Sequence, residues 1–170
     1  MTTAAFEWEF DQTHPSGVKK SESRISAEQR ASQELDGLIK KSTGKTKEIL
    51  RFLRKSIGFD NLESKFLQAS SECDSVIGLF GKHLYGINGE EFSYSAIGKR
   101  LANQRNNFAH GKIDKEPDSM AILDLLFLRY FILAIQLKRI DVSDASIRKA
   151  INELFRLHIA LPDTTKEDGL

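Results

Sequence analysis

The sequence predicts an all-α protein, a bundle of about five to six helices joined mostly by short connections. Three observations lead there. Apolar residues recur every three or four positions through most of the chain. Only three prolines interrupt 170 residues, which leaves long stretches open to helix. No strand-like segment alternates with these stretches, so no βαβ unit can be drawn.

The elements follow in order. Residues 1–22 are expected to be irregular, an N-terminal arm or the remnant of an upstream domain. "FEWEF" alternates like a short strand and "THPSG" breaks it, and a lone strand is not stable by itself. Ser26 and Gln29 have capping-box spacing, and Ala27, Ala31, Leu35 and Leu38 then line one face of a first helix. After a break at "KSTGK", Ile49, Leu50, Leu53 and Ile57 mark a second, ending near Gly58. Asp60 and Glu63 are expected to open a third, whose stripe runs through Leu62, Phe66, Ala69, Cys73, Val76, Ile77 and Phe80. A glycine-rich loop, "YGINGEE", separates it from a fourth helix over residues 93–110, with Tyr94, Ile97, Leu101 and Phe108 facing inward. Gly111 suits the left-handed residue that closes such a helix. Pro117 suits the first turn of a fifth, ending near Arg139. Ser143 or Asp144 caps a sixth that buries Ile147, Ile151, Leu154 and Phe155. The helical domain is thus expected over residues 23–160, with 161–170 a polar, flexible tail.

Composition narrows the function. With a formal net charge of +1, no global field marks a nucleic-acid binder, although a local basic patch remains open. The single cysteine, Cys73, cannot form an intrachain disulfide, and the N-terminus lacks the basic and apolar regions of a secretory signal, so a cytoplasmic location is expected. Residues 120–140 are long and apolar but contain Asp124 and Arg129, each costing about 2.5–3.5 kcal/mol near a bilayer centre. A buried bundle helix is the expected reading, with no membrane span and no membrane partner.

Several site classes fail on spacing. "STGKTKE" resembles a phosphate-binding loop, but the position needing the first glycine is Ile39, and a helix stands where a strand is required. His14, His83, His110 and His158 are far apart and Cys73 stands alone, so no metal site and no cofactor is expected. Cys73 reads as a small core residue and His158 as one that packs or caps. No G-x-S-x-G is present for a serine hydrolase.

"QRNNFAHGK", residues 104–112, is different. Its plain reading is a helix end, with cationic side chains near the negative pole of the dipole and Gly111 as terminator. Three points favour a site. Arg105 follows Leu101 by four and flanks the apolar stripe, where a partly buried guanidinium needs an anion. His110 stands at the helix exit, where an imidazole stays accessible. Asn106 and Asn107, poor helix formers, add amide donors. In an ideal helix Arg105 and His110 are about 140° apart, so one chain does not aim both at one point. A two-fold dimer across this face would bring two such pairs to a shared cleft. Lys99, Arg100 and Lys112 add positive charge along the same helix and its exit, a patch that would attract phosphate or simply be solvated.

"RNNFAH" fits the R-x4-H pattern, with a polar residue after the arginine, and "IGKRLANQRNNFAHGKI" resembles the motif helix of ApeA-like domains of the HEPN superfamily. The likeness extends over residues 26–160, including "NLESKFLQASSECDSVIGLF" before the motif and the long apolar helix after it. It implies a helical bundle that dimerises through the motif face and acts as a metal-independent endoribonuclease in anti-phage defence or a toxin–antitoxin system, with transfer RNA as a target. Arg105 and His110 would be the catalytic pair and Asn106 the polar second position. An acidic residue on another helix would hold the arginine; Glu34 and Glu72 are the candidates. The chain departs from the ApeA-like pattern at its N-terminus, where only residues 1–22 stand in place of a large upstream domain. An antitoxin or an upstream sensor domain are the further partners implied.

The chemistry fits the residues. RNA carries its own nucleophile, the 2′-hydroxyl. An imidazole acting as base contributes about 10²–10⁴-fold, and a guanidinium can stabilise the phosphorane through two parallel hydrogen bonds. The alternative expectation is a HEPN-like module that binds RNA or a nucleotide, or dimerises, without cleaving. A third is a helical interaction domain in which the motif is only a helix end.

Overall fold

A computed structural model describes residues 2–111 and 119–162. Among these residues the chain is all-helical, with seven helices: α1 (Thr2–Thr13), α2 (Glu22–Lys41), α3 (Gly44–Ser56), α4 (Leu62–Gly86), α5 (Tyr94–Ala109), α6 (Ala121–Arg139) and α7 (Asp144–Leu154). They form two compact units. Val18–Asn61 is a hairpin of α2 and α3. The segments on either side of it make the larger unit from α1, α4, α5, α6 and α7. α1 belongs to the larger unit, and residues 18–61 form the smaller one.

The N-terminal segment is the main correction. "FEWEF" is neither strand nor irregular arm but the middle of α1. Phe6 and Phe10 are spaced four apart, so one helical face carries both, and both are fully buried. They complete an aromatic cluster in which Phe6 lies 5.8 Å from Phe66 and 5.5 Å from Phe131, and Phe66 lies 5.4 Å from Phe131. Burial of this stripe outweighs the local alternation that suggested a strand. Polar ties fasten the rest of the helix. Gln136 donates to Glu9 Oε1 at 2.7 Å, Lys65 pairs with Asp11 at 2.6 Å, and His14 Nε2 lies 2.8 Å from Glu72 Oε2.

α6 is the axis of the larger unit and packs against α1, α4, α5 and α7. It buries Phe127, Leu128, Tyr130, Phe131, Ala134 and Ile135, which is why its sequence is apolar on nearly all sides. Among the described residues no helix is long and apolar enough to cross a membrane. α4 and α6 approach closely at Gly81, where a Cβ would stand 2.2 Å from the Phe92 ring and 2.9 Å from Phe127. Helix starts differ from the expected caps in two places. α2 begins at Glu22 with Ser21 as cap, four residues before the Ser26–Gln29 pair. Asp60 does not cap α4; its carboxylate accepts from Val18 N–H at 2.7 Å and pairs with Arg24 at 3.4 Å inside the hairpin unit. Ser143, not Asp144, caps α7. α7 stops at Leu154, so His158 lies beyond it, exposed and at φ 55°. Pro117 and the tail from 163 onward lie outside the described residues.

Candidate functional site at the end of α5

α5 starts on a side-chain cap, with Ser93 Oγ accepting from Ala96 N–H at 3.3 Å. Its buried face holds Ile97, Gly98 and Leu101 and goes no further. Beyond Leu101 the helix is largely in solvent. Phe108, expected inside, is 63% exposed. Asn106 and His110 are exposed as well. His110 is the C-cap residue, its N–H bonded to Asn106 O at 3.0 Å, and Gly111 follows at φ 66°, the left-handed closure its position requires.

The two arginines of α5 have opposite environments. Arg100 was expected on a basic surface; it is an internal ion pair instead. Its Nε donates to Asp124 Oδ2 and its Nη2 to Asp124 Oδ1, both at 2.7 Å, and Tyr85 donates to the same carboxylate at 2.5 Å. Asp124 is fully buried, so the fork-to-fork geometry is what makes an anion tolerable there. Burial and the hydrogen bond to Asp124 push the Tyr85 phenol far above its ordinary range, which keeps it a donor. The bond to Asp124 likewise holds the Arg100 guanidinium charged. Arg105, one turn past Leu101, is not a core-flanking residue. Its side chain is 49% exposed, with Nη2 at 3.6 Å from Glu7 Oε1 on α1. A pair that long and that exposed leaves the guanidinium largely available.

Glu7 is thus the acidic neighbour of Arg105, and neither expected candidate fills that place. Glu72 is engaged by His14, just past α1, and by Gln68. Glu34 is exposed on α2, in the other unit. Lys99 is exposed beside the motif, and Lys112 lies outside the described residues. Glu7 gave no signal in the sequence, because it sits in a segment read as unstructured.

A second polar cluster lies between α1, α4 and α6. It borders a cavity of about 230 Å³ lined by Thr13, His14, Glu72, Cys73, Lys138 and Arg139, among others. Its charges are paired, while the buried Glu9 Oε2 accepts no hydrogen bond. His14 stacks on Phe10 with ring centres 4.2 Å apart, and its Nδ1 lies 2.8 Å from Thr13 Oγ1. Arg139 is 3.5 Å from Glu9 and lies over the Trp8 ring, while Lys138 pairs with Asp144 at 3.1 Å. Burial pushes the Cys73 thiol up to about 11, so it is no nucleophile at neutral pH. Among the described residues no group of three His, Cys, Asp or Glu side chains is arranged to hold a metal ion. "STGKTKE" is the short α2–α3 connection and the first turn of α3, with Gly44 at φ 58° and a helix before it, which is not the setting of a phosphate-binding loop.

Comparison of the chain with family models, curated proteins and solved structures finds no match.

Proposed function

We propose that the protein is a metal-independent endoribonuclease of HEPN type, working as a dimer whose cleft takes Arg105 and His110 from each copy, in anti-phage defence or a toxin system. The observation that carries this reading is the contrast along α5. One arginine is spent on the core, while Arg105, Asn106 and His110 stand accessible together at the helix end with Phe108 beside them. An exposed phenylalanine next to polar catalytic side chains suits a face that a second copy covers.

In this mechanism His110 removes the proton of the 2′-hydroxyl, and the freed oxygen attacks the adjacent phosphorus. Arg105 binds the phosphoryl oxygens as negative charge grows on them. The bond to the 5′-oxygen breaks and that oxygen takes up a proton. The products are a 2′,3′-cyclic phosphate and a 5′-hydroxyl end. DNA lacks the nucleophile and is not cut. Glu7 orients Arg105 from α1.

The test is cleavage of RNA by the purified chain in EDTA, wild type beside His110→Ala and Arg105→Ala. Wild-type cleavage that persists in EDTA and falls about 100-fold or more in His110→Ala is expected. Equal cleavage by wild type and His110→Ala would refute the mechanism. Tight RNA binding with no cleavage by any form would assign the chain to the non-catalytic binding class instead.

A further inference from the structure

The hairpin of Val18–Asn61 takes no part in that site, yet α3 carries a feature that calls for a partner. Neither α2 nor α3 has a fully buried residue. Ile49, Phe52 and Leu53, at i, i+3 and i+4, are 59%, 69% and 45% exposed. Phe59 follows just past the helix, also exposed. Single exposed apolar residues are ordinary, but bulky neighbours on one crest form a patch that water penalises.

The same helix is strongly basic. Lys45, Lys47, Arg51, Arg54 and Lys55 stand against one acid, Glu48. Arg54 is paired with Asp36 at 3.1 Å. Among the described residues no carboxylate lies within ion-pair distance of Lys45, Lys47, Arg51 or Lys55. Lys47, Arg51 and Lys55 succeed one another at intervals of four, so like charges repel along the helix. Lys45 and Lys47 also occupy the first turn, the wrong end for a cation. An anionic surface facing Lys45, Arg51 and Lys55 would relieve part of each.

The faces identify which surface. At about 100° per residue, Lys55, Phe52, Lys45, Ile49 and Leu53 fall within an arc of about 160°, with Glu48 the single acid inside it, Arg51 at its edge beyond Lys55 and Lys47 outside it. Half-buried Leu50 and Ile57 lie on the remaining side. A nucleic acid would use the cations and leave Ile49 and Leu53 without a role. A second copy would set two basic rows against each other. An anionic bilayer uses both features, taking the apolar crest at its acyl boundary and the cations at its headgroups. We infer that α3 docks this protein peripherally on anionic lipid, lying in the plane of the surface with Phe52 and Leu53 inserted and Lys45, Arg51 and Lys55 on the phosphates. This inference is independent of the ribonuclease reading.

The experiment is flotation of the full chain with vesicles of phosphatidylcholine alone, and of phosphatidylcholine with about one third phosphatidylglycerol. Binding to the anionic vesicles only, weakened by salt at about 0.5 M, is expected. Phe52→Ser with Leu53→Ser should lower it about tenfold or more, and each of Lys45→Gln, Arg51→Gln and Lys55→Gln about fivefold. These positions are exposed, so helicity by circular dichroism should not change. In a Trp8→Phe background, Phe52→Trp should shift its emission to the blue on anionic vesicles. Absence of flotation overturns the inference, including the case where the chain binds an RNA oligonucleotide or an acidic protein instead. Equal flotation on neutral vesicles, or flotation indifferent to Phe52→Ser with Leu53→Ser, overturns it too.

Discussion

Replacing Asp124 by Asn keeps the side chain's size while removing the charge to which Arg100 is tied. In the native protein the carboxylate accepts three hydrogen bonds at 2.5–2.7 Å with no exposure to water. The amide offers one acceptor oxygen and sets an NH₂ against the donors of Arg100 or Tyr85. Removing one partner of a buried pair costs about 3–5 kcal/mol. The Arg100 side chain retains 22% exposure, so water partly resolvates it, and the lower end, about 3 kcal/mol, applies. For a chain of this size each kcal/mol moves the melting temperature by about 2–4 °C, giving a drop of about 6–12 °C. Thermal melts followed by far-ultraviolet circular dichroism measure it directly. The double variant Arg100→Met with Asp124→Leu removes donor and acceptor together and should melt closer to wild type than Asp124→Asn does. A drop below about 2 °C for Asp124→Asn, or a double variant less stable than the single, would refute the assignment of this pair as the tie between α5 and α6.

Gly81→Ala would place a methyl against Phe92 and Phe127, and should cost about 1–3 kcal/mol in a denaturant titration. Asp144 is held below its ordinary range, first by the hydrogen bond from Ser75 at 2.6 Å and then by Lys138. A carboxylate depressed in the folded state stabilises above its unfolded pKa, and the contribution fades as pH falls through the folded value. Stability should therefore decline below about pH 4, and the decline should be shallower in Asp144→Asn when melts are compared across that range. Glu7→Gln should change stability by no more than about 0.5 kcal/mol, because the pair with Arg105 is long and half-exposed. If Glu7 orients that guanidinium, the same variant should lower RNA cleavage severalfold in the EDTA assay.

The periodic signal located six helices, but only α4 to α7 bury a stripe that repeats at helical spacing, while the apolar positions of α2 and α3 stay exposed or half-buried. It failed where two periods compete. In "FEWEF" the alternation of Phe6, Trp8 and Phe10 resembles a strand, and only tertiary burial of Phe6 and Phe10 decides for a helix. The candidate site was legible in part. Arg105, Asn106 and His110 stand out by residue type and position, and all three are accessible. Their surroundings were not legible, because they depend on packing between distant segments. Glu7 reaches Arg105 only after α1 has docked. Arg100 looked like surface charge, yet the clue lay in Asp124, an acid within an apolar run that must find a cation once α6 is buried. Phe108 kept helical register with Leu101 but lies past the point where the bundle ends.

The docking of α1 on α6 also has a consequence for synthesis. α1 leaves the ribosome well before α6, which emerges only after the whole hairpin and two further helices. Phe6 and Phe10 therefore lack their α6 partner on the nascent chain until that helix has been made. During that interval their rings are apolar surface that a chaperone could hold.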